Sequence, residues 1–359
     1  VGKVKIFAPL GYYAVDPEKS ERKNPMTNSE LFGIRIRRER RSLLVGVLFF
    51  LVIGVVLLQV DWAPPAKSQE NVVTLDVAAI ERDARAFGSL TKEEFSVYED
   101  GVKQEIKSLT AQESPFSLGI AIDASGSMRA LWPMIQKAAL NVISQLQPVD
   151  EAFVVAFKAQ PELIQDFTNN QRALANAIDQ IYTSGGTSLY DAVIATSDQV
   201  YKKGKSRRKA MIFITDGLEK NSSVKEGKVI NTLIENQAQA YFICMPIESS
   251  SPFPGAMNQS TPKERLDRLA KASGGQTFPL NTVDETASIA AKVVGSLRRQ
   301  YEITYVSTNN KQDDKLRKVK VVVSPKDGRK LNVITRQGYY SPGHKRAAES
   351  RTSNLERTD

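Results

Sequence analysis

Two carboxylates and three hydroxyls in this chain share one setting: each lies where an apolar run gives way to a turn. Asp123, Ala124, Ser125, Gly126 and Ser127 follow the apolar run Leu118 to Ile122. Thr187 follows the pair Gly185, Gly186 ahead of a helical run, and Asp216 lies in Thr215, Asp216, Gly217 after the apolar residues Met211 to Ile214. In an open α/β sheet the ends of neighbouring parallel strands meet at one edge, so loops distant in sequence converge there. An oxygen-only donor set, without nitrogen or sulfur, suits a hard cation. Any one of these loops alone reads as a turn with a helix cap, because Ser and Asp side chains satisfy free N–H groups. The three together point to a metal site. Asp191 stands one helical turn after Thr187. It is either a helper on the same rim, holding a metal-bound water or hydroxyl, or an ordinary first-turn Asp favoured by the helix dipole.

The elements that must position these residues alternate between strand and helix from Leu118 to Arg298. Leu131 to Leu146 repeats apolar residues at helical spacing through Leu131, Ile135, Ala138, Val142 and Leu146. Phe153 to Phe157 is an apolar strand, and Glu162 to Phe167 alternates as an edge hairpin partner would. Arg172 to Ile181, Ser188 to Tyr201, a segment near Val224 to Asn236, Lys263 to Ala272 and Glu285 to Leu297 read as helices. Met211 to Ile214, Tyr241 to Met245 and Gln276 to Phe278 read as strands. This alternation predicts an α/β, doubly wound, mostly parallel sheet with helices on both faces. Glu248 to Thr261, rich in Ser and Pro, follows a central strand on the expected metal edge; it either shapes partner choice or is an inert connection.

The flanks differ in kind. Val72 to Val77, Phe95 to Tyr98 and Glu105 to Leu109 read as short strands, with Asp100, Gly101 as a tight turn. Tyr301 to Val306, Lys318 to Val323 and Asn332 to Thr335 alternate again, with Lys326, Asp327, Gly328 as another turn. Neither flank has enough strands for its own core. Together they are expected to form a small β-sandwich from which the α/β domain emerges as an insertion.

The motifs carry a resemblance. DASGS, the Thr in GGTSLYDA and the Asp in ITDG, in that order, resemble the metal-ion-dependent adhesion site of von Willebrand factor type A (VWFA) domains. That resemblance implies a Rossmann-like fold and a Mg²⁺ or Mn²⁺ held by Asp123, Ser125, Ser127, Thr187 and Asp216. The hydroxyls would contact the ion, the aspartates would act directly or through water, and an Asp or Glu of a partner protein would complete the shell. The strand-rich lead, Leu90 to Phe95 followed by Tyr98, Glu99, Asp100, Gly101, Gln104 and Ile106, and the closing Tyr301 to Tyr305 and Arg336 to Tyr340, are similar to those of bacterial VWFA-related domain proteins. The likeness runs over about residues 72 to 341. Ile80 to Ser89 departs from it, lacking the tidy Asp/Gly turn of that family.

Composition bounds the rest. A chain of 359 residues has room for two compact domains and extra segments. Its net charge of +9 is concentrated in residues 1 to 41, where ten Lys or Arg face five acids. The basic run between Tyr201 and Lys209 reads as a solvated cap on a helix end, so no nucleic-acid partner is expected. Leu43 to Val60 is 18 residues without a charge, preceded by Arg35, Arg37, Arg38, Arg40 and Arg41. This predicts a transmembrane anchor or a signal sequence, with the N-terminus cytoplasmic and the remainder in the periplasm or outside the cell. Ala66, Lys67, Ser68 before Gln69 offers a cleavage site, which would make the protein secreted. Met26 is an alternative start. Cys244, the sole cysteine, is expected to be a buried structural thiol.

The expected organisation is therefore a basic cytoplasmic segment (1–41), the anchor or signal (42–60), a linker (61–71), the first half of the sandwich (72–114), the VWFA domain (115–298), the second half of the sandwich (299–341) and a polar tail (342–359). The expected function is an adhesion-type binding module that captures an acidic partner through Mg²⁺. An assembly or secretion scaffold with a structural metal is the alternative. A metal-assisted hydrolase is the remote one: the sole His, His344, lies in the polar tail, and neither GxxxxGK nor GxSxG occurs.

Overall fold

The computed structural model describes residues 71–80, 90–246 and 260–341. The expected basic segment, anchor or signal, alternative start at Met26, most of the linker, most of the Ile80 to Ser89 departure, most of the Ser/Pro loop and the tail with His344 lie outside the described residues. Among the described residues no helix is long and apolar enough to cross a membrane.

The central layer is a six-stranded sheet built on β5 (Phe116–Asp123), every residue of which is buried. Beside it lie β6 (Glu151–Phe157) and β8 (Arg208–Thr215), then β9 (Gln239–Cys244) and β10 (Thr277–Pro279), all parallel to their neighbours. The edge strand β7 (Pro161–Thr168) runs antiparallel to β6. Strand residues alternate between two apolar layers, as pleating requires. Leu118, Ile120 and Ile122 pack under α1 (Trp132–Ser144), α2 (Gln171–Asp179) and α6 (Thr286–Arg298). Ala121, Phe153, Val155, Met211 and Phe213 pack under α3 (Leu189–Lys203), α4 (Glu226–Asn236) and α5 (Pro262–Ser273). Gly119 lets α3 settle directly on the central strand: a Cβ there would lie 2.6 Å from Thr196 Cγ2 and 2.7 Å from the Phe153 ring. The chain leaves β5 for β6 on one side and returns to β8 on the other, so the strand order reverses beside β5. The crevice outside the carboxyl ends of β5 and β8 is the place where this class of sheet binds ligands.

The flanks pair with each other. β1 (Val72–Ile80) lies antiparallel to β11 (Arg299–Val306), and β11 to β4 (Ile106–Glu113); β13 (Asn332–Ile334) completes that sheet. A second sheet carries β2 (Phe95–Glu99), β3 (Val102–Gln104), β12 (Leu316–Val323) and β14 (Gly338–Tyr340). Their apolar faces meet through Leu75, Val77, Phe95, Val97, Tyr301, Ile303, Val319 and Val321. Asp100 and Gly101 both take positive φ (48° and 85°), which the tight β2–β3 hairpin requires. Buried Glu99 accepts hydrogen bonds from the hydroxyls of Tyr305 and Tyr339 (both 2.8 Å) and Ser307 (2.6 Å).

Two readings of the sequence need correction. The basic run before Lys209 is not wholly a solvated helix cap: α3 ends at Lys203, and Arg208 is a buried first residue of β8. It pairs with Asp76 of β1 at 3.2 Å and donates to the Leu297 and Arg298 carbonyls that end α6. The burial of this cation depends on β1, more than a hundred residues earlier. Cys244 is only partly buried, because it is the last residue of its strand, where the sheet opens. Burial still pushes its thiol pKa up.

Candidate metal centre

β5 ends on Asp123, and the backbone there turns into a short 3-10 segment, Gly126–Leu131. The turn is held by its own carboxylate: Asp123 Oδ1 accepts from the Ser125 amide at 3.0 Å. The other oxygen, Oδ2, accepts from the Thr215 hydroxyl at 2.7 Å, and Thr215 in turn accepts from the Gly217 amide at 3.0 Å. This ties the ends of β5 and β8 together. Gly217 takes φ +76°, the left-handed conformation that brings the chain around after Asp216. Asp216 Oδ1 accepts from the Leu218 amide at 2.9 Å, and its Oδ2 accepts from Ser127 Oγ at 3.1 Å. Ser127 Oγ lies 3.1 Å from Ser125 Oγ. Asp123, Ser125, Ser127 and Asp216 thus form one connected cluster.

Thr187 arrives on a third loop. The Gly126 amide donates to the Gly185 carbonyl at 3.1 Å and the Ser184 amide to the Ala124 carbonyl at 2.8 Å, which seats this loop against the DASGS turn. Asn221 then fixes Thr187 from two directions. Its Oδ1 accepts from the Thr187 amide, and its own amide donates to the Thr187 carbonyl, both at 3.0 Å. Gly186 leaves room for this contact, because a Cβ there would overlap the Asn221 side-chain oxygen and push that side chain aside. Thr187 is buried and reaches the cluster through loop packing rather than through a hydrogen bond of its side chain to the other four.

Asp191 has a different engagement. Its carboxylate accepts from the amide (2.9 Å) and hydroxyl (3.1 Å) of Ser223, and its own amide donates to the Ser222 hydroxyl oxygen at 3.2 Å. It therefore fastens the β8–α4 loop to the first turn of α3. Thr215, Asn221 and Glu219 are the supporting residues that the motif reading did not single out. Glu219 accepts from the Ser222 amide and hydroxyl and from the Tyr190 amide. Only Thr215 had a sequence signal, its place beside Asp216 at the end of an apolar run.

The electrostatics are one-sided. Asp123 is fully buried and Asp216 is 4% exposed, yet among the described residues neither has a Lys or Arg ion-pair partner. Burial pushes the Asp123 carboxyl up to about 6; the Ser125 contact opposes this, and the neighbouring Asp216 carboxylate adds to it. Two adjacent buried carboxylates without a cation are costly, whereas a divalent ion among them neutralises both. The donor chemistry therefore fits a hard divalent cation. Among the described residues no three His, Cys, Asp or Glu side chains gather into a metal cluster, so such an ion would depend on hydroxyls to complete its shell. Ser127 and Gly126 are exposed, which leaves the centre accessible from outside the sheet edge.

A carboxylate–hydroxyl centre at the switch point of this sheet defines the class, and comparison with known proteins agrees. Residues 118–219 match the von Willebrand factor type A domain family, and the chain carries such a domain. An uncharacterized protein of Synechocystis sp. is 33% identical over 108 residues, 29% of this chain and 25% of its own length, so the chain spans a quarter of that curated relative. Among solved structures, a von Willebrand factor type A protein from Catenulispora acidiphila is 15% identical with a TM-score of 0.44, covering 75% of this chain and 74% of its own. Proximal thread matrix protein 1 from the mussel byssus, solved with a zinc-occupied MIDAS motif, is also 15% identical with a TM-score of 0.44, covering 56% and 50%.

Proposed function

We propose that the protein is an extracytoplasmic binding module that takes a divalent cation, Mg²⁺ or Mn²⁺, at Asp123, Ser125, Ser127, Thr187 and Asp216, and through it an Asp or Glu side chain of a partner protein. The observation that carries this reading is the pair of buried carboxylates with no Lys or Arg partner among the described residues, set beside hydroxyls and open to solvent at Ser127. The bound ion would supply a Lewis-acidic position for the partner's carboxylate. The chain's own residues do the rest. Thr215 and the Ser125 amide fix the Asp123 carboxylate, the Leu218 amide fixes Asp216, and Asn221 fixes the Thr187 loop. The donors are thus held in place before the ion arrives, which lowers the cost of ordering them. Binding rather than catalysis is proposed, because the sole His, His344, belongs to the polar tail of the sequence and neither GxxxxGK nor GxSxG occurs. Segment 42–60, as anchor or signal, is proposed to deliver the module to the cell envelope.

Calorimetric titration of Mg²⁺ and Mn²⁺ into the metal-stripped protein tests the proposal. Saturable binding that disappears in Asp123→Ala and Thr187→Ala is the expected result. No heat at millimolar metal, together with an unshifted melting temperature, would defeat it.

A further inference from the structure

The surface around the centre carries charge that the metal reading does not use. Arg129 is exposed two residues after Ser127, and Lys220 is exposed with its amide on the Thr187 carbonyl at 3.1 Å. Lys158 belongs to the turn after β6, and its carbonyl accepts from the Ser188 amide (2.7 Å) and hydroxyl (2.9 Å), directly beside Thr187. Among the described residues none of these three cations has a carboxylate partner. The acids of the same loops are spent internally: Glu219 on Ser222 and the Tyr190 amide, Asp191 on Ser223. The rim also holds an exposed aromatic. Tyr182 is 68% exposed, and the Lys158 ammonium lies 3.5 Å from its ring centroid, which steadies the ring without covering it.

From this we infer that the partner presents an acidic segment rather than a lone acid: one carboxylate reaches the metal centre, further carboxylates lie against Arg129, Lys158 and Lys220, and an apolar or aromatic side chain rests on Tyr182. The inference deepens the proposed function and rests on it. Like charges around a site speed the approach of an oppositely charged partner and repel basic ones. An exposed, ordered tyrosine beside a polar anchor is the usual make-up of an interface hot spot. The three cations come from loops after β5, β6 and β8, so a segment that satisfies all of them must cross the centre instead of touching one side of it.

The test is selection of a random dodecapeptide display library on the full chain, in Mg²⁺ and in EDTA, with wild type, the Lys158→Ala/Lys220→Ala double variant and Tyr182→Ser. These side chains are exposed or partly so, and unchanged melting temperatures would confirm intact folding. The expected outcome is Mg²⁺-dependent enrichment of peptides with two or more acids, the enrichment falling about tenfold in the double variant and about fivefold in Tyr182→Ser. Mg²⁺-dependent enrichment of peptides with a single acid, unchanged in both variants, would overturn the rim inference while leaving the metal reading intact. Acid-rich enrichment that persists in EDTA but falls in the variants would support the rim and remove the metal from recognition. No enrichment under either condition would overturn both.

Discussion

The two edges of the central sheet treat buried charge in opposite ways. At the edge where the parallel strands begin, the buried arginines Arg208 and Arg298 are each paired with a carboxylate. Asp150 pairs with Arg298 at 2.5 Å, and Arg207 and Arg208 both hold Asp76, at 2.7 and 3.2 Å. At the edge where the same strands end, Asp123 and Asp216 are buried with no Lys or Arg partner among the described residues. β8 spans both conditions, with Arg208 at its first residue and Thr215, beside Asp216, at its last. The difference sets a joint closed by ion pairs apart from an edge whose buried carboxylates are held by hydroxyls and amides, the edge proposed to take the cation.

The largest expected effect breaks the closed edge. Arg298→Ala strands the Asp150 carboxylate, which would then keep only the Phe116 amide (3.3 Å) and the Gln147 amide (2.8 Å). The loss should be about 3–5 kcal/mol in urea unfolding. A loss below about 1 kcal/mol would mean that the pair contributes little and the comparison fails. The same operation at the open edge should have the opposite sign. Asp123→Asn removes a charge that no Lys or Arg offsets, and it should stabilise the metal-free protein by about 1–2 kcal/mol while abolishing the stabilisation that Mg²⁺ gives the wild type.

Acid should separate the edges without any mutation. Asp123, with its carboxyl raised to about 6, opposes folding fully at neutral pH and less as pH falls through 6 toward the unfolded value. Metal-free protein should therefore gain stability from this group between pH 7 and 5. Asp76 behaves the other way. Burial pushes its carboxyl up, but Arg207 and Arg208 outweigh that and hold it below the ordinary range. Its contribution is present above the unfolded value of 3.8 and is lost only as pH falls through its lower folded value. Unfolding curves at pH 7, 5 and 3, with and without Mg²⁺, check both signs; a metal-free protein that weakens steadily from pH 7 to 5 would contradict the Asp123 part.

Smaller effects sharpen the picture. Gly186→Ala should push Asn221 aside and deprive the Thr187 amide of its acceptor. Metal affinity should drop about tenfold with about 1 kcal/mol of lost stability, read by calorimetry and thermal melts. Asp191→Asn should be the mildest, below about 1 kcal/mol, because it alters the Ser223 contacts and leaves the cluster in place. A complete loss of metal binding in Asp191→Asn would instead make this carboxylate part of the centre.

The open edge was legible in the sequence because its chemistry is local. Asp123 and Asp216 stand directly after apolar strands, and Ser125 and Ser127 follow within four residues. The closed edge was not, because its chemistry is long-range. Arg207 and Arg208 look like the end of a helix until β1 supplies Asp76, and nothing near Arg208 announces that it will be buried. The short strands β3 and β14 were not read as strands either: each is a three-residue segment fixed by its pairing with β2 or β12 rather than by a period of its own. β4 runs on to Glu113 because β11 pairs with it over that whole length, beyond the alternation that its own residues display.

That pairing bears on how the protein could be rebuilt. Glu113 and Arg299 stand opposite each other in the β4–β11 ladder, so the chain enters and leaves the α/β unit through two points one strand spacing apart, about 5 Å. Joining them with a two-residue turn would convert β4 and β11 into an ordinary hairpin and leave a free-standing sandwich. The α/β unit is then a cassette: the sandwich can serve as a fixed socket, and a different metal-bearing unit with adjacent ends can be spliced into it.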